Sequence, residues 1–191
     1  WIKKEAIIED EEDSDAERRR RNREPKWNYV PLSIESVDVE SSINAFKSGI
    51  RIPVIFTCRP VRQDGGFPGE EPERIAILRF AIESGVSFID IEDDVNEEDL
   101  NELKNAIKGS TKVIISDHTN NPPSSEEIVQ RVDQMAAKGD LVKICYRLGS
   151  RGGALRVLEA AKEIGSREDG PDVALMGLGD GGDWTRIHVP L

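Results

Sequence analysis

Short apolar runs alternate with amphipathic segments over most of the chain beyond Ile50. The runs are rich in β-branched residues and are apolar almost throughout. Such runs are typical of strands buried on both faces, as in parallel sheets. They predict strands over residues 52–58, 86–91, 112–116, 141–145 and 173–176.

The segments between these strands repeat apolar residues at the three- and four-residue spacing of a helix face. Ser124 precedes Glu127 by three residues, which is the arrangement of a capping box at a helix start. The predicted helices cover residues 72–85, 100–109, 124–139 and 155–165, each followed or ended by a glycine. Alternating strands and helices predict an α/β fold, either a doubly wound sheet or a closed barrel.

The front of the chain has a different composition. An acidic block over residues 9–17 is followed by arginines at 18–21 and 23. Such a segment buries too little apolar surface to offset the entropy lost on ordering. We therefore predict a flexible, charged segment over residues 1–27 and an α/β domain over residues 28–191. A nuclear-localisation or nucleic-acid-binding arm is the alternative, although the adjacent acids neutralise the field of the arginines.

Composition and charge limit the cellular compartments and the classes of partner that fit this chain. The chain has 191 residues and a net charge of −11, which disfavours a nucleic-acid-binding surface. No apolar run reaches the roughly 18 residues of a membrane span, and no secretory signal is recognisable. Two cysteines fit a reducing compartment better than a disulfide framework. We therefore expect a cytoplasmic protein.

Reactive polar side chains collect at the C-terminal ends of the predicted strands. Arg59, Glu92 and His118 follow successive strands, and Arg186 comes soon after the last one. Barrels and open sheets both place their functional sites at this edge. Acids at 90 and 92–94 suggest a metal site, but they lead into a helix start, where acids stabilise the helix dipole. Only Glu92 is therefore kept as a site candidate.

Lys143 is the most informative residue because it stands inside an apolar strand. Burial disfavours the ammonium form of a lysine and frees the amine, which can form Schiff bases with carbonyl substrates. The alternative is a structural lysine whose ammonium reaches solvent or a salt bridge. His118 on the preceding strand would lie near Lys143 and suits proton transfer near neutral pH.

The glycine-rich segment over residues 177–182 follows the last predicted strand. It resembles a dinucleotide-binding loop, but no amphipathic helix clearly follows it. We interpret it as a turn.

Five segments in chain order carry a more specific likeness. They are residues 56–59 with 65–67, residues 85–92, residues 115–118, residues 141–144 and residues 176–187. Together they resemble the type I 3-dehydroquinate dehydratases, and the Gly-Gly-Phe-Pro sequence is similar to fungal versions of that domain. The resemblance extends over residues 52–187.

This resemblance implies a (β/α)8 TIM barrel and a dehydratase that needs no metal or organic cofactor. Lys143 would form an iminium with the ketone of 3-dehydroquinate, and His118 would move the protons that eliminate water. Arg186 would bind the substrate carboxylate and Arg59 a further polar group. The implied partner is a small-molecule substrate, and a homodimer is one possible assembly.

The chain departs from the family pattern at three places. Gln63 or Asp64 occupies the position of a family acid and becomes a substrate-binding candidate, together with Glu92. An early Glu-x-Arg strand is not recognisable, and residues 36–40 are its nearest counterpart. The eighth strand and its lid loop are missing, and 191 residues fall below the roughly 200–250 of a complete barrel. We therefore expect a barrel that is incomplete or rearranged at its first strands and lacks its last.

These departures keep a second function open. A dehydratase-like domain of a quinate-pathway repressor would bind pathway metabolites without converting them, because a fold does not determine a function. Such a protein would be nuclear. The presence of both Lys143 and His118 favours the enzyme, since a binding domain has no chemical need for that pair.

Overall fold

The computed structural model describes residues 2–6, 27–31, 36–120, 122–179 and 181–188. Two strands at the front, β1 (Ile2–Ala6) and β2 (Trp27–Pro31), form an antiparallel pair. The flexible segment over residues 1–27 stays a prediction, although Ile2–Ala6 within it form a strand that pairs with β2. The charged blocks over residues 9–23 lie outside the described residues.

The main sheet has five parallel strands that follow one another in chain order. They are β3 (Ile55–Thr57), β4 (Phe88–Glu92), β5 (Lys112–Asn120), β6 (Leu141–Arg147) and β7 (Val173–Leu178). These strands confirm the five that the apolar runs predict. Within the described residues β3 and β7 are the two edges, so the barrel is not closed there.

Helices occupy the connections between the strands. They are α1 (Val39–Gly49), α2 (Glu71–Glu83), α3 (Glu97–Ala106), α4 (Ser125–Ala136), α5 (Arg151–Gly165) and the short α6 (Thr185–His188). The capping box of α4 is present, since the Glu127 N–H donates to Ser124 Oγ and the Ser124 N–H donates to Glu127 Oε2. Across the described ranges, every helix is too short or too polar to cross a bilayer.

Residues 36–40, the nearest counterpart of the family's early strand, do not form a strand. Asp38 instead caps the N-terminus of α1, and its carboxylate accepts a hydrogen bond from the Ser41 N–H at 2.9 Å. An aspartate in this position satisfies an N–H group that has no partner within the helix. The segment therefore leads into a helix and is not the counterpart of the family's early strand.

Alternate residues of the sheet point to opposite faces. One face, which we call the helix face, carries apolar side chains that pack with the helices into a single core, including Ile91, Ile115 and Ile144. The other face, which we call the site face, carries Asp90, Glu92, Ser116, His118 and Lys143. The strand register sets this grouping, because Glu92 lies opposite Ser116 and Ser116 opposite Lys143.

Candidate active site

Lys143 and Asp90 form an ion pair on the site face. The Nζ of Lys143 lies 2.6 Å from Asp90 Oδ2, and the Lys143 side chain is 24% exposed whereas Asp90 is 1% exposed. The buried carboxylate therefore fixes the position of an amine that belongs to a partly exposed side chain. A salt bridge of this kind is also what the structural alternative for Lys143 requires, so the pair alone does not separate the two interpretations.

His118 lies on the same face as Lys143, near the end of β5, where it is opposite Cys145 on β6. Both ring nitrogens are buried and have no hydrogen-bond partner among the described residues. Burial lowers the pKa of His118 from its ordinary value, and the positive charges of Arg59 and Lys143 lower it further. The neutral imidazole is therefore favoured near neutral pH, and this is the form that accepts a proton.

The predicted arginines belong to the same neighbourhood. Burial raises the pKa of the Cys145 thiol, and the positive charges of Lys143, Arg59 and Arg186 oppose that rise. The electrostatic influence of Arg59 and Arg186 therefore reaches the part of the site face that carries Lys143 and Cys145. Substrate binding by Arg59 and Arg186 stays a prediction.

Gln63 joins this group from the turn that follows β3. It ends the 3-10 helix Val61–Gln63, is buried, and accepts a hydrogen bond at Oε1 from the His118 N–H at 3.0 Å. Its Nε2 donates to Asp94 Oδ2, also at 3.0 Å. Substrate binding by Gln63 stays a prediction, since both ends of its amide contact the protein.

Asp64 lies away from the group. Its backbone takes a left-handed conformation with φ 58°, and its carboxylate pairs with Arg147 at the surface at 3.1 Å. Next to it, a side chain at Gly65 would collide with the Arg59 carbonyl oxygen, so this turn requires glycine there. A substrate-binding role for Asp64 also stays a prediction.

Glu92 forms an internal ion pair with Arg74 of α2. Both side chains are fully buried, and Arg74 Nη1 lies 2.6 Å from Glu92 Oε2. Burial raises the pKa of Glu92 to about 7, although the charge of Arg74 opposes the rise. Substrate binding by Glu92 stays a prediction, because its partner in this structure is Arg74. Among the described residues, no three His, Cys, Asp or Glu side chains come together as metal ligands.

Sequence reasoning missed Asp90 and Arg74 as the ion-pair partners of the predicted site residues Lys143 and Glu92. Asp90 was assigned to the acids of a helix start, yet it lies inside β4, two residues before Glu92. The two acids share one face of a buried strand, and buried carboxylates require cationic or hydrogen-bonding partners. That spacing was the available signal for Asp90. Arg74 stands among the apolar residues of α2, where a buried arginine likewise requires an acid.

The family model and the similar proteins all point to one family. The family model described as type I 3-dehydroquinase matches residues 30–191. A 3-dehydroquinate dehydratase of Syntrophobacter fumaroxidans is 33% identical over 139 residues, which cover 72% of this chain and 58% of that protein. The bifunctional 3-dehydroquinate dehydratase/shikimate dehydrogenase of Arabidopsis thaliana is 34% identical over 142 residues, which cover 71% of this chain and 22% of that protein.

Solved structures agree with these sequence relatives. A type I 3-dehydroquinate dehydratase from Clostridium difficile superposes with a TM-score of 0.72 at 30% identity, covering 78% of this chain and 61% of that one. The dehydroquinate dehydratase and shikimate dehydrogenase from S. pombe gives a TM-score of 0.68 at 26% identity, covering 83% of this chain and 31% of that one. The chain spans about three fifths of the bacterial relatives it matches. The family match over residues 30–191, together with the parallel sheet and its site face, shows that this chain belongs to the type I 3-dehydroquinase family.

Proposed function

We propose that this protein converts 3-dehydroquinate to 3-dehydroshikimate through a Schiff base on Lys143. The observation that carries the proposal is the partly exposed side chain of Lys143, whose Nζ is held 2.6 Å from Asp90 on the face that also bears His118. A domain that only binds a metabolite needs neither such a lysine nor a neutral imidazole beside it. Relatives named 3-dehydroquinate dehydratase, from Syntrophobacter fumaroxidans and Methanocaldococcus jannaschii, support this choice of substrate.

The reaction begins with the amine of Lys143. After the ammonium gives up a proton, its nitrogen attacks the ketone carbon and forms a C–N bond, while the carbonyl oxygen takes up a proton. Loss of that oxygen as water leaves an iminium. Asp90 holds Nζ in place through the hydrogen bond between Lys143 and Asp90, so that the amine meets the carbonyl from one direction.

Elimination then depends on His118. The iminium withdraws electrons from the adjacent carbon, and the neutral imidazole takes a proton from it. The resulting enamine pushes its electron pair outward, which breaks the C–O bond to the leaving hydroxyl. His118 returns its proton to that oxygen, so that water departs. A second water adds to the iminium carbon, and collapse of this adduct frees Lys143 and the product.

The charges around the site suit an acidic substrate. The guanidinium of Arg186 would bind the carboxylate through its two parallel N–H groups, and Arg59 would bind a further polar group. The chain carries a net charge of −11, but three cations, Lys143, Arg59 and Arg186, act on the site face at Cys145, against one anion, Asp90. Local positive potential therefore opposes the overall negative charge.

Two further parts of the proposal concern location and assembly. Cys58 and Cys145 are free and buried, which fits a cytoplasmic protein in a reducing compartment. A homodimer is the assembly that the family resemblance suggests, and light scattering during size-exclusion chromatography measures it directly.

The direct test is a dehydration assay that follows the absorbance of the conjugated product. We expect turnover by the unmodified chain and none by Lys143→Ala, with Lys162→Ala as the lysine control, because Lys162 is exposed in the last turn of α5. Calorimetric binding of 3-dehydroquinate without turnover would overturn the proposal. It would favour instead the non-catalytic, repressor-like function.

A further inference from the structure

Gln63 bridges the main chain of His118 and the side chain of Asp94. The amide oxygen accepts from the His118 N–H, the amide nitrogen donates to Asp94 Oδ2, and both contacts measure 3.0 Å. The glutamine itself is buried. Its two ends therefore perform opposite tasks, one accepting and one donating.

The contact to His118 fills a gap in the sheet. Pairing between β4 and β5 ends where Glu92 lies opposite Ser116, whereas pairing between β5 and β6 continues as far as Asn120. Beyond Ser116, no strand among the described residues pairs with β5 on the β4 side, so the amide of Gln63 supplies the acceptor that a strand would have provided. A buried N–H without such a partner would be costly.

The orientation of the His118 ring has no support from its own nitrogens among the described residues. The position of the imidazole therefore depends on the backbone at His118, which pairing with β6 holds on one side and the Gln63 contact holds on the other. This contact also connects the turn after β3, which follows Arg59 directly, to the strand that carries His118.

Asp94 is itself held in place and kept ionised. Arg62 Nε donates to Asp94 Oδ2 at 2.9 Å, and Arg62 Nη1 donates to Glu71 Oε2 at 2.9 Å. Although partial burial opposes the change, hydrogen bonds from Arg62 and Gln63 lower the pKa of Asp94 below its ordinary value. Position 63 thus faces a fixed carboxylate on one side and a fixed N–H donor on the other.

We propose that Gln63 is a positioning residue for His118, and that the position requires an amide because one end must accept and the other must donate. The proposal rests on the proposed function, in which His118 moves the protons. A glutamate at position 63 would still accept from the His118 N–H. Its second oxygen would face Asp94, and two carboxylates at this distance repel each other.

The experiment compares Gln63→Glu with the double variant Gln63→Glu/Asp94→Asn. We expect Gln63→Glu to lower kcat by on the order of 10²-fold at neutral pH, the scale expected when a catalytic group moves by about 1 Å, with a smaller change in KM. In the double variant the amide introduced at position 94 donates to the carboxylate introduced at position 63, so most of the lost kcat should return. Gln130→Glu, on the exposed side of α4, makes the same charge change away from the site and should leave kcat unchanged.

The pH dependence gives a second readout. The charged groups that face position 63 are Asp94 on the loop after β4, Arg62 on its own turn, and Glu71 of α2 behind Arg62. Protonation of the new carboxyl restores a donor toward Asp94. The kcat of Gln63→Glu relative to the unmodified chain should therefore rise as the pH falls, whereas this ratio should stay constant for Gln63→Leu.

Two outcomes overturn the proposal, namely an unchanged kcat in Gln63→Glu or a double variant no better than Gln63→Glu alone. Hydrogen exchange of the His118 amide in Gln63→Leu, without substrate, tests the contact even where the unmodified chain shows no turnover. Faster exchange there supports the Gln63–His118 contact, and exchange as slow as in the unmodified chain contradicts it. Failure of the proposed function is thereby distinguishable from failure of this inference.

Discussion

The two faces of the main sheet are built from the same strands and serve different ends. On the helix face Ile91, Ile115 and Ile144 are fully buried within the apolar core. One residue away along β4 and β5, Glu92 and Ser116 are just as fully buried on the site face. Apolar burial stabilises a fold, whereas a buried charge destabilises it unless it is paired.

The site face contains such pairs and also leaves polar groups without partners. Asp90 pairs with Lys143, and Glu92 pairs with Arg74, each at 2.6 Å. Oγ of Ser116 and both ring nitrogens of His118 have no hydrogen-bond partner among the described residues. One face therefore provides stability and the other retains groups that can react, at some cost in stability.

The largest expected effect is the loss of the nucleophile on the site face. Lys143→Arg keeps a positive charge beside Asp90 but removes the amine, so kcat for dehydration should fall on the order of 10⁴-fold or more, as when one member of a catalytic unit is removed. The chain should remain folded, because the partner of the buried Asp90 is retained. Steady-state kinetics with Lys162→Arg as the control check this result, and comparable kcat values in the two variants would contradict it.

The next effect concerns a buried ion pair. Arg74→Met leaves the buried carboxylate of Glu92 without its cation, and we expect unfolding free energy to fall by about 3–5 kcal/mol. Arg79→Met is the matched control, since Arg79 and Glu102 form an ion pair with side chains 49% and 47% exposed, and should cost less than about 1 kcal/mol. Urea unfolding measures both values. Similar losses for both variants would mean that the buried pair contributes no more than an exposed one.

A smaller difference in unfolding free energy is expected between a buried and an exposed isoleucine. Ile91→Val removes one methylene from the fully buried helix face and should lower the unfolding free energy by about 0.5–1.5 kcal/mol. Ile55→Val makes the same chemical change on β3, where Ile55 is 56% exposed, and should have a much smaller effect. Thermal and urea unfolding of the pair test the contrast. An equal loss at position 55 would show that β3 is covered in solution.

The smallest expected effect is a shift in the pH dependence of kcat/KM. The base must be neutral to accept a proton, so kcat/KM should rise with pH through the pKa of His118. Burial, with the charges of Arg59 and Lys143, lowers that pKa below its ordinary value of 6.5, so the acid limb should fall below 6.5. Titration of the His118 ring by NMR checks the assignment independently. An acid limb above 6.5 would contradict the electrostatic description of the site.

The sequence predicted the elements with a strong repeating pattern and failed where the pattern was weak. The five strands of the main sheet and helices α2–α5 were found because their apolar residues are regularly spaced. Helix α1 was missed, although Val39, Ile43 and Phe46 have helical spacing, because residues 36–40 were compared with an expected strand. Of these three residues only Ile43 is buried, so the buried apolar face of α1 is smaller than the faces of α2–α5.

The site was predicted as a set of residues and not as a set of contacts. Lys143 could be named because it stands inside an apolar strand, and His118, Arg59 and Arg186 because they follow strand ends. The roles of the two arginines came from the family resemblance. The partner of each group could not be named, since Lys143 and Asp90 lie 53 residues apart and His118 and Gln63 lie 55 residues apart. Such pairings depend on strand register and turn geometry, which one sequence without its fold does not specify.

Borohydride reduction in the presence of 3-dehydroquinate tests the central claim most directly, because it converts an iminium on a lysine into a stable secondary amine. Intact mass followed by peptide mapping should locate one adduct, on Lys143, that forms only when the substrate is present. The same treatment of Lys143→Arg should give none. An unmodified chain, or an adduct that persists in Lys143→Arg, would contradict the assignment of Lys143 as the nucleophile.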